Sequence, residues 1–265
     1  MEYNIYTIFG DFFYLIIFTL GLCLGSFLNS WIWRKHENIM VSRGRSMCAN
    51  CRRKLKWYEN IPVLSCIYLG GKCKTCKSII PKHFIWVELS TAILFLFITY
   101  YRLEFTDFNS IIYHRDIVLI GFLLVIFLYD FLYKIVLSEI VWICSLAGLY
   151  FHFLSKDLSI TSMVLGVLIA GGFFFVQYVI SKGKWIGGGD VRLGVMMGIW
   201  LGWPYILVGL FTAYVSGAIV GTILLIFKKK KMSSEIPFGT FLSASTFFAL
   251  VYGYEVVQFY FGLIR

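Results

Sequence analysis

Eight apolar stretches, each about long enough to cross a bilayer, dominate this chain of 265 residues, and no soluble fold could bury so many. A hydrocarbon core about 30 Å thick needs about 20 apolar residues per helix. The pattern predicts spans near 12–33, 84–101, 117–132, 135–154, 161–180, 191–203, 205–227 and 238–263. Composition agrees: 59% of residues are hydrophobic and 14% charged, whereas a globular domain is about 45–50% apolar and about 25% charged. With only 4 prolines and no alternating strand pattern, the runs read as helices rather than barrel strands. The fold class expected is an all-α polytopic membrane protein. The first span reads as a retained helix, because no basic residue precedes it and no small-residue cleavage site follows.

The formal charge of +10 lies in the loops. If residues 34–83 are cytoplasmic and the eight spans alternate, all 24 lysines and arginines fall on that side except Arg102, Arg115, Lys156 and Arg265. The positive-inside rule then puts both termini outside, and anionic lipid favours the basic loops. This bias removes the need for a nucleic-acid partner. The run Lys228–Lys231 reads as a stop-transfer anchor rather than a lipid or nucleic-acid site. Three segments follow: a first helix at 1–33, a cytoplasmic loop domain at 34–83 and a helical membrane domain at 84–265.

Five of the 7 cysteines sit in that loop. Cys48 and Cys51 form one C-x2-C pair, Cys73 and Cys76 another, with 21 residues between. Each pair can present two thiolates at one apex, which suits the tetrahedral preference of zinc. A cytoplasmic location disfavours two disulfides, and no thioredoxin-like pattern supports a redox pair. The expectation is a structural zinc in a small ribbon-like domain whose folding the metal supports. Cys23, Cys66 and Cys144 have no paired spacing and read as small buried hydrophobes.

A charge at mid-membrane costs about 2.5–3.5 kcal/mol on insertion scales, so carboxyls within spans are candidate sites. Glu88, Asp130, Glu139, Asp190 and Glu255 qualify. The charge-derived topology puts Asp130 and Asp190 at the same, cytoplasmic face. Two carboxyls at one depth can share a proton, the arrangement aspartic protease chemistry requires. Gly187, Gly188 and Gly189 precede Asp190, and are expected to adopt backbone geometry closed to other residues and to admit an extended substrate. As a lone residue, Asp190 reads equally well as a helix cap. Glu88 and Glu139, the latter one to two turns into its span, are expected to pair with a basic head group or a buried polar partner, and Glu255 to be interfacial.

Taken together, Gly25-Ser26-Phe27-Leu28-Asn29, Arg34, the two cysteine pairs, Asn60-Ile61-Pro62-Val63-Leu64-Ser65, Gly71-Lys72-Cys73, Glu88, Asp130, Gly187-Gly188-Gly189-Asp190-Val191-Arg192-Leu193 and Ile236-Pro237-Phe238-Gly239 resemble the type IV prepilin peptidases, GxGD-type aspartic proteases of the bacterial inner membrane. The resemblance implies Asp130 and Asp190 as the catalytic aspartates and Cys48, Cys51, Cys73 and Cys76 as zinc ligands. It further implies cleavage of a short basic leader from prepilins or pseudopilins after a glycine. Many relatives with the cysteine loop also N-methylate the new terminus with S-adenosylmethionine, but no methyl-donor fold such as a Rossmann unit is recognisable here. Two departures stand out: Ala49 replaces the proline common in the first knuckle, and Leu137-Ser138 replaces a Pro-Asp pair. The strongly basic loop would repel a basic leader unless Glu37, Glu59, Glu88 or anionic lipid intervenes. The competing reading is a transporter or channel with Asp130, Glu139 and Asp190 as a proton or cation path and the zinc loop as a docking element.

Overall fold

The computed structural model describes residues 10–41, 44–106, 108–227 and 237–264. The Lys228–Lys231 run, Arg43, Ile236 and Arg265 lie outside the described residues. Each apolar stretch forms a helix: α1 (Asp11–His36), α3 (His83–Glu104), α4 (Ser110–Tyr133), α5 (Ser138–Ser155), α6 (Ile160–Ser181), α7 (Gly188–Leu201), α8 (Tyr205–Ile226) and α9 (Phe238–Ile264). A short α2 (Leu64–Tyr68) lies in the cysteine loop. Seven of these are long and apolar enough to cross a membrane, so the chain is a multi-pass membrane protein.

The exception corrects the expectation at 191–203. Helix α7 has only 14 residues and rises about 21 Å, less than the hydrocarbon thickness. It survives in an apolar setting because its neighbours wrap it: every residue from Met196 to Leu201 is buried. It runs antiparallel to α6, and a Cβ on Gly198 would stand 2.4 Å from the backbone nitrogen of Val167. Small residues let membrane helices approach this closely. The same register sets Gly194 against Ala170 and Phe174. Asp190, one turn earlier, therefore lies about level with Phe174, two turns short of the end of α6 and roughly 10 Å along its axis.

The chain forms two compact units, Met1–Asn109 and Ser110–Arg265. In the first, α1 and α3 pack antiparallel, Gly21 against Ala92 and Gly25 against the Glu88 backbone, and the cysteine loop joins their adjacent ends. In the second, Phe174, Leu193, Met196, Met197, Trp200 and Leu242 form the core, where Trp200 Nε1 donates to the carbonyl of Cys144 at 3.1 Å.

Two further expectations change. Helix α4 begins at Ser110 rather than 117, because Arg115 and Asp116 pair within it at 2.9 Å. Arg115 also pairs with Asp157, which accepts from His152 at 3.0 Å. Burial acts to raise the Asp157 carboxyl, but His152 and Arg115 hold it far below the usual carboxylate range. Glu139 is an exposed residue in the first turn of α5, not a buried group within a span.

Candidate active site and cysteine cluster

Asp130 occupies the last full turn of α4, and Asp190 is the third residue of α7. The unit Ser110–Arg265 brings them to one end, where Val136 packs both on Gly189, next to Asp190, and on Gly239, against Asp130 Oδ2. Asp130 is buried, and its Oδ2 accepts a 2.9 Å hydrogen bond from the backbone N–H of Thr240. Thr240 lies in the first turn of α9, where orphan N–H groups and the positive end of the helix dipole favour an acid. Asp190 occupies the same position of its own helix, three residues after the N-cap Gly187, so both carboxyls stand at helix N-termini.

Val136, in the α4–α5 connection, links these parts. A Cβ on Gly189 would come within 2.8 Å of the Val136 Cβ, and one on Gly239 within 3.1 Å of its Cγ2 and 2.9 Å of Asp130 Oδ2. The glycine run is thus needed for a different reason than its sequence suggests. Gly187 is extended at φ −76°, and none of the three has a positive φ. Gly189 is small because Val136 leaves no room, while a Cβ on Gly188 would meet nothing within 4 Å. Asp190 is a first-turn residue, not a cap. An aromatic trio borders the site, with Phe174, Tyr214 and Phe238 ring centroids 5.2 to 6.4 Å apart. Tyr214 feels the charge of Asp190. Arg192 donates to the Ser138 hydroxyl, the residue that departs from the family pattern.

In the unit Met1–Asn109, the thiol sulfurs of Cys48, Cys51, Cys73 and Cys76 all lie within 4.8 Å of one another. The Cys48 and Cys76 sulfurs are 3.8 Å apart, about the separation required by four Zn–S bonds of about 2.3 Å in a tetrahedron. None of the four is in a disulfide. The two knuckles repeat one geometry. Arg52 N–H returns to the Cys48 carbonyl and Lys77 N–H to the Cys73 carbonyl, while Cys48 N–H bonds Arg53 and Cys73 N–H bonds Ser78. The residue after each second cysteine, Arg52 or Lys77, is left-handed at φ 57° or 58°. Hydrogen bonds from the Ser78 hydroxyl and N–H hold the Cys76 thiol down to about 5. At Cys51 the Arg53 N–H pulls the same way, but burial and the neighbouring thiols push it up to about 11. Four thiols this close resist joint ionisation until a cation is present, so the donor set fits zinc.

Of the unpaired cysteines only Cys144 is buried. Cys23 is exposed and Cys66 half-buried. The loop glutamates are engaged: Glu37 with Arg52 at 2.8 Å, Glu59 with Arg53, and Glu88 with the Val63 N–H at 2.7 Å. Glu255 is exposed on α9, next to the Gly253 that packs on Tyr205 at the start of α8, in keeping with an interfacial place. Sequence reading missed Thr240, Gly239's contact with Asp130, and Val136. The run Ile236-Pro237-Phe238-Gly239 hinted at the first two, with Pro237 marking a helix start.

Membrane helices that hold two carboxyls at helix N-termini form one unit, and a four-cysteine loop between two further helices belongs to the other. Residues 19–102 match the model of the bacterial peptidase A24 N-terminal domain, and residues 117–222 that of the type IV leader peptidase family. The chain belongs to the type IV leader peptidase family. It is 27% identical over 271 residues to a prepilin leader peptidase/N-methyltransferase of Pseudomonas aeruginosa, covering 94% of this chain and 93% of that one. A Legionella pneumophila protein of that name is 27% identical, covering 95% of each chain. One from Myxococcus xanthus is 32% identical over 222 residues, covering 82% of this chain and 65% of its own. No solved structure matches the chain.

Proposed function

We propose that this enzyme cleaves the short basic leader from prepilin or pseudopilin precursors after a glycine, at the cytoplasmic face of the bacterial inner membrane, and N-methylates the terminus it exposes. Asp130 and Asp190 are the catalytic pair. What supports this reading is that two residues 60 positions apart lie at one end of the unit Ser110–Arg265, the Asp130 carboxyl against the first turn of α9 and Asp190 in the first turn of α7. Like charges held close together favour a single shared proton. The ionised member takes a proton from water as it attacks the peptide carbonyl, and the protonated member donates to the developing oxyanion and then to the leaving amine. The proton belongs to the pair, and the roles exchange during turnover. An apolar precursor helix lying in lipid leaves its scissile bond at the interface where a recessed pair can reach it.

Cys48, Cys51, Cys73 and Cys76 hold a zinc ion. Four thiolates fill its coordination, so it serves folding rather than hydrolysis. S-Adenosylmethionine, when bound, supplies a methyl group: its C–S bond breaks as an N–C bond forms to the free amine, a neutral thioether leaves, and the amine's proton passes to water. The transporter reading needs Glu139 as a buried member of a proton or cation path, and Glu139 is exposed in the first turn of α5.

The test is to incubate purified protein with a prepilin and S-adenosylmethionine and to weigh the product. A mature chain lacking its leader and carrying one methyl group is expected. An intact precursor would refute the peptidase reading, and a cleaved but unmethylated chain would refute the second activity alone.

A further inference from the structure

Glu88 takes no part in the hydrolytic chemistry, yet it is buried to 7% exposure in the unit Met1–Asn109. Its carboxylate forms no salt bridge among the described residues. Neutral donors alone reach it, the Ser26 side chain and the backbone N–H of Val63, a β-branched residue at φ +58° and ψ −54°. Valine at positive φ is a genuine outlier, and such strain persists where the surroundings over-determine it, commonly at ligand sites. Here the strained turn directs its N–H onto a carboxylate that has no cation.

That carboxylate lines a half-open cleft of about 220 Å³. Asn60 offers an amide donor and acceptor along it, Asn29 keeps its amide oxygen while its Nδ2 donates to the Phe84 carbonyl at 2.9 Å, and Leu69, Ile80 and Phe84 give an apolar wall. Arg53 also borders the cleft, but its guanidinium is bidentate on Glu59 at 2.9 Å for both bonds. Lys74 stands at the exposed rim, over the Tyr58 ring. The interior therefore offers one uncompensated negative charge beside apolar and amide surface. This suits a ligand with an apolar or heterocyclic body and a net positive charge, which a buried carboxylate would offset.

We propose that this cleft is the site of the methyl donor, S-adenosylmethionine, with Glu88 facing the sulfonium. The proposal rests on the N-methylation reading above and gives it a place on the unit Met1–Asn109. S-Adenosylhomocysteine, which lacks the methyl group and hence the charge, is the natural control: if Glu88 reads charge, it reads the donor and not the spent product.

Equilibrium binding of both compounds to the full-length, detergent-solubilised protein tests this. Glu88→Gln is expected to weaken S-adenosylmethionine at least about tenfold, as loss of a buried charge-assisted contact should, and to leave S-adenosylhomocysteine within about threefold. Asn60→Leu should weaken both compounds alike. Photo-crosslinking of radiolabelled S-adenosylmethionine to the unaltered protein should mark peptides within residues 26–88, a readout that does not depend on any variant's folding. Label confined to residues 110–265, or equal losses for the two compounds in Glu88→Gln, would overturn the assignment. If the unaltered protein methylates prepilin while Glu88→Gln binds the donor normally, the site is wrong and the activity stands. If the unaltered protein neither binds the donor nor methylates, both are wrong.

Discussion

The Oδ2 atom of Asp130 accepts a 2.9 Å hydrogen bond from the backbone N–H of Thr240, which lies 110 positions later in the chain. A carboxyl near the end of one membrane helix thereby satisfies an orphan donor at the start of another, and the first turn of α9 fixes where that carboxyl points. The arrangement leaves no room for a side chain between them.

Substitution of the glycines should separate packing from mere motif. Gly239→Ala places a methyl group 2.9 Å from Asp130 Oδ2, and Gly189→Ala places one 2.8 Å from Val136. A carboxyl displaced by a fraction of an ångström to 1 Å should lose cleavage by about 10²-fold. Gly188→Ala meets nothing within 4 Å and should stay within about threefold of the unaltered enzyme. Initial rates on one prepilin compare the three. Equal losses at all of them would show that the run serves backbone freedom instead.

The cysteine cluster predicts one zinc per chain by metal analysis. Replacing Cys48, Cys51, Cys73 or Cys76 with serine should release it and raise proteolytic sensitivity between residues 44 and 82, whereas Cys66→Ser should retain it, since Cys66 is outside the cluster. Metal-free protein with mapped disulfides would contradict the assignment.

Acid sensitivity of the loop follows from Glu59. The Arg53 hydrogen bonds, with the Lys56 N–H, hold its carboxyl down to about 2. A group whose folded pKa is depressed stabilises the fold above its ordinary value, about 4.3, and that contribution fades as pH falls toward the folded value. The difference in loop stability between the unaltered protein and Glu59→Gln should be full above pH 5 or so and shrink steadily below about 4. Hydrogen exchange of residues 53–60 across that range measures it, and thiol protonation affects both proteins alike. A difference that grows on acidification would reverse the sign of the argument.

Much of this architecture is written in hydropathy. Helix positions fell within a few residues of the apolar runs because the cost of exposing polar backbone to lipid outweighs local propensity. The failures are informative. The start of α4 was hidden because Arg115 and Asp116 read as loop until Asp157, 42 positions after Arg115, is seen to join them with His152 in one hydrogen-bonded network. The shortness of α7 was hidden because its shelter comes from surrounding helices rather than its own length. At the site, Asp130 and Asp190 were legible as same-face carboxyls. The reason for Gly189 was not, because Val136 sits 53 positions earlier and no pattern in the sequence pairs a valine with a glycine. Similarly, the two cysteine pairs announced a metal, but nothing marked Val63 as strained or Glu88 as its partner.

The central claim is that Asp130 and Asp190 act as one catalytic unit, and conversion of each to asparagine tests it most directly. Asparagine keeps the volume and the acceptor oxygen that Thr240 uses, so Asp130→Asn and Asp190→Asn should insert and bind zinc as before. The account predicts that each loses prepilin cleavage by about 10³-fold or more, and the double variant scarcely further, because residues that work as a unit are not additive. Processing by either single variant at a rate near that of the unaltered enzyme would contradict it.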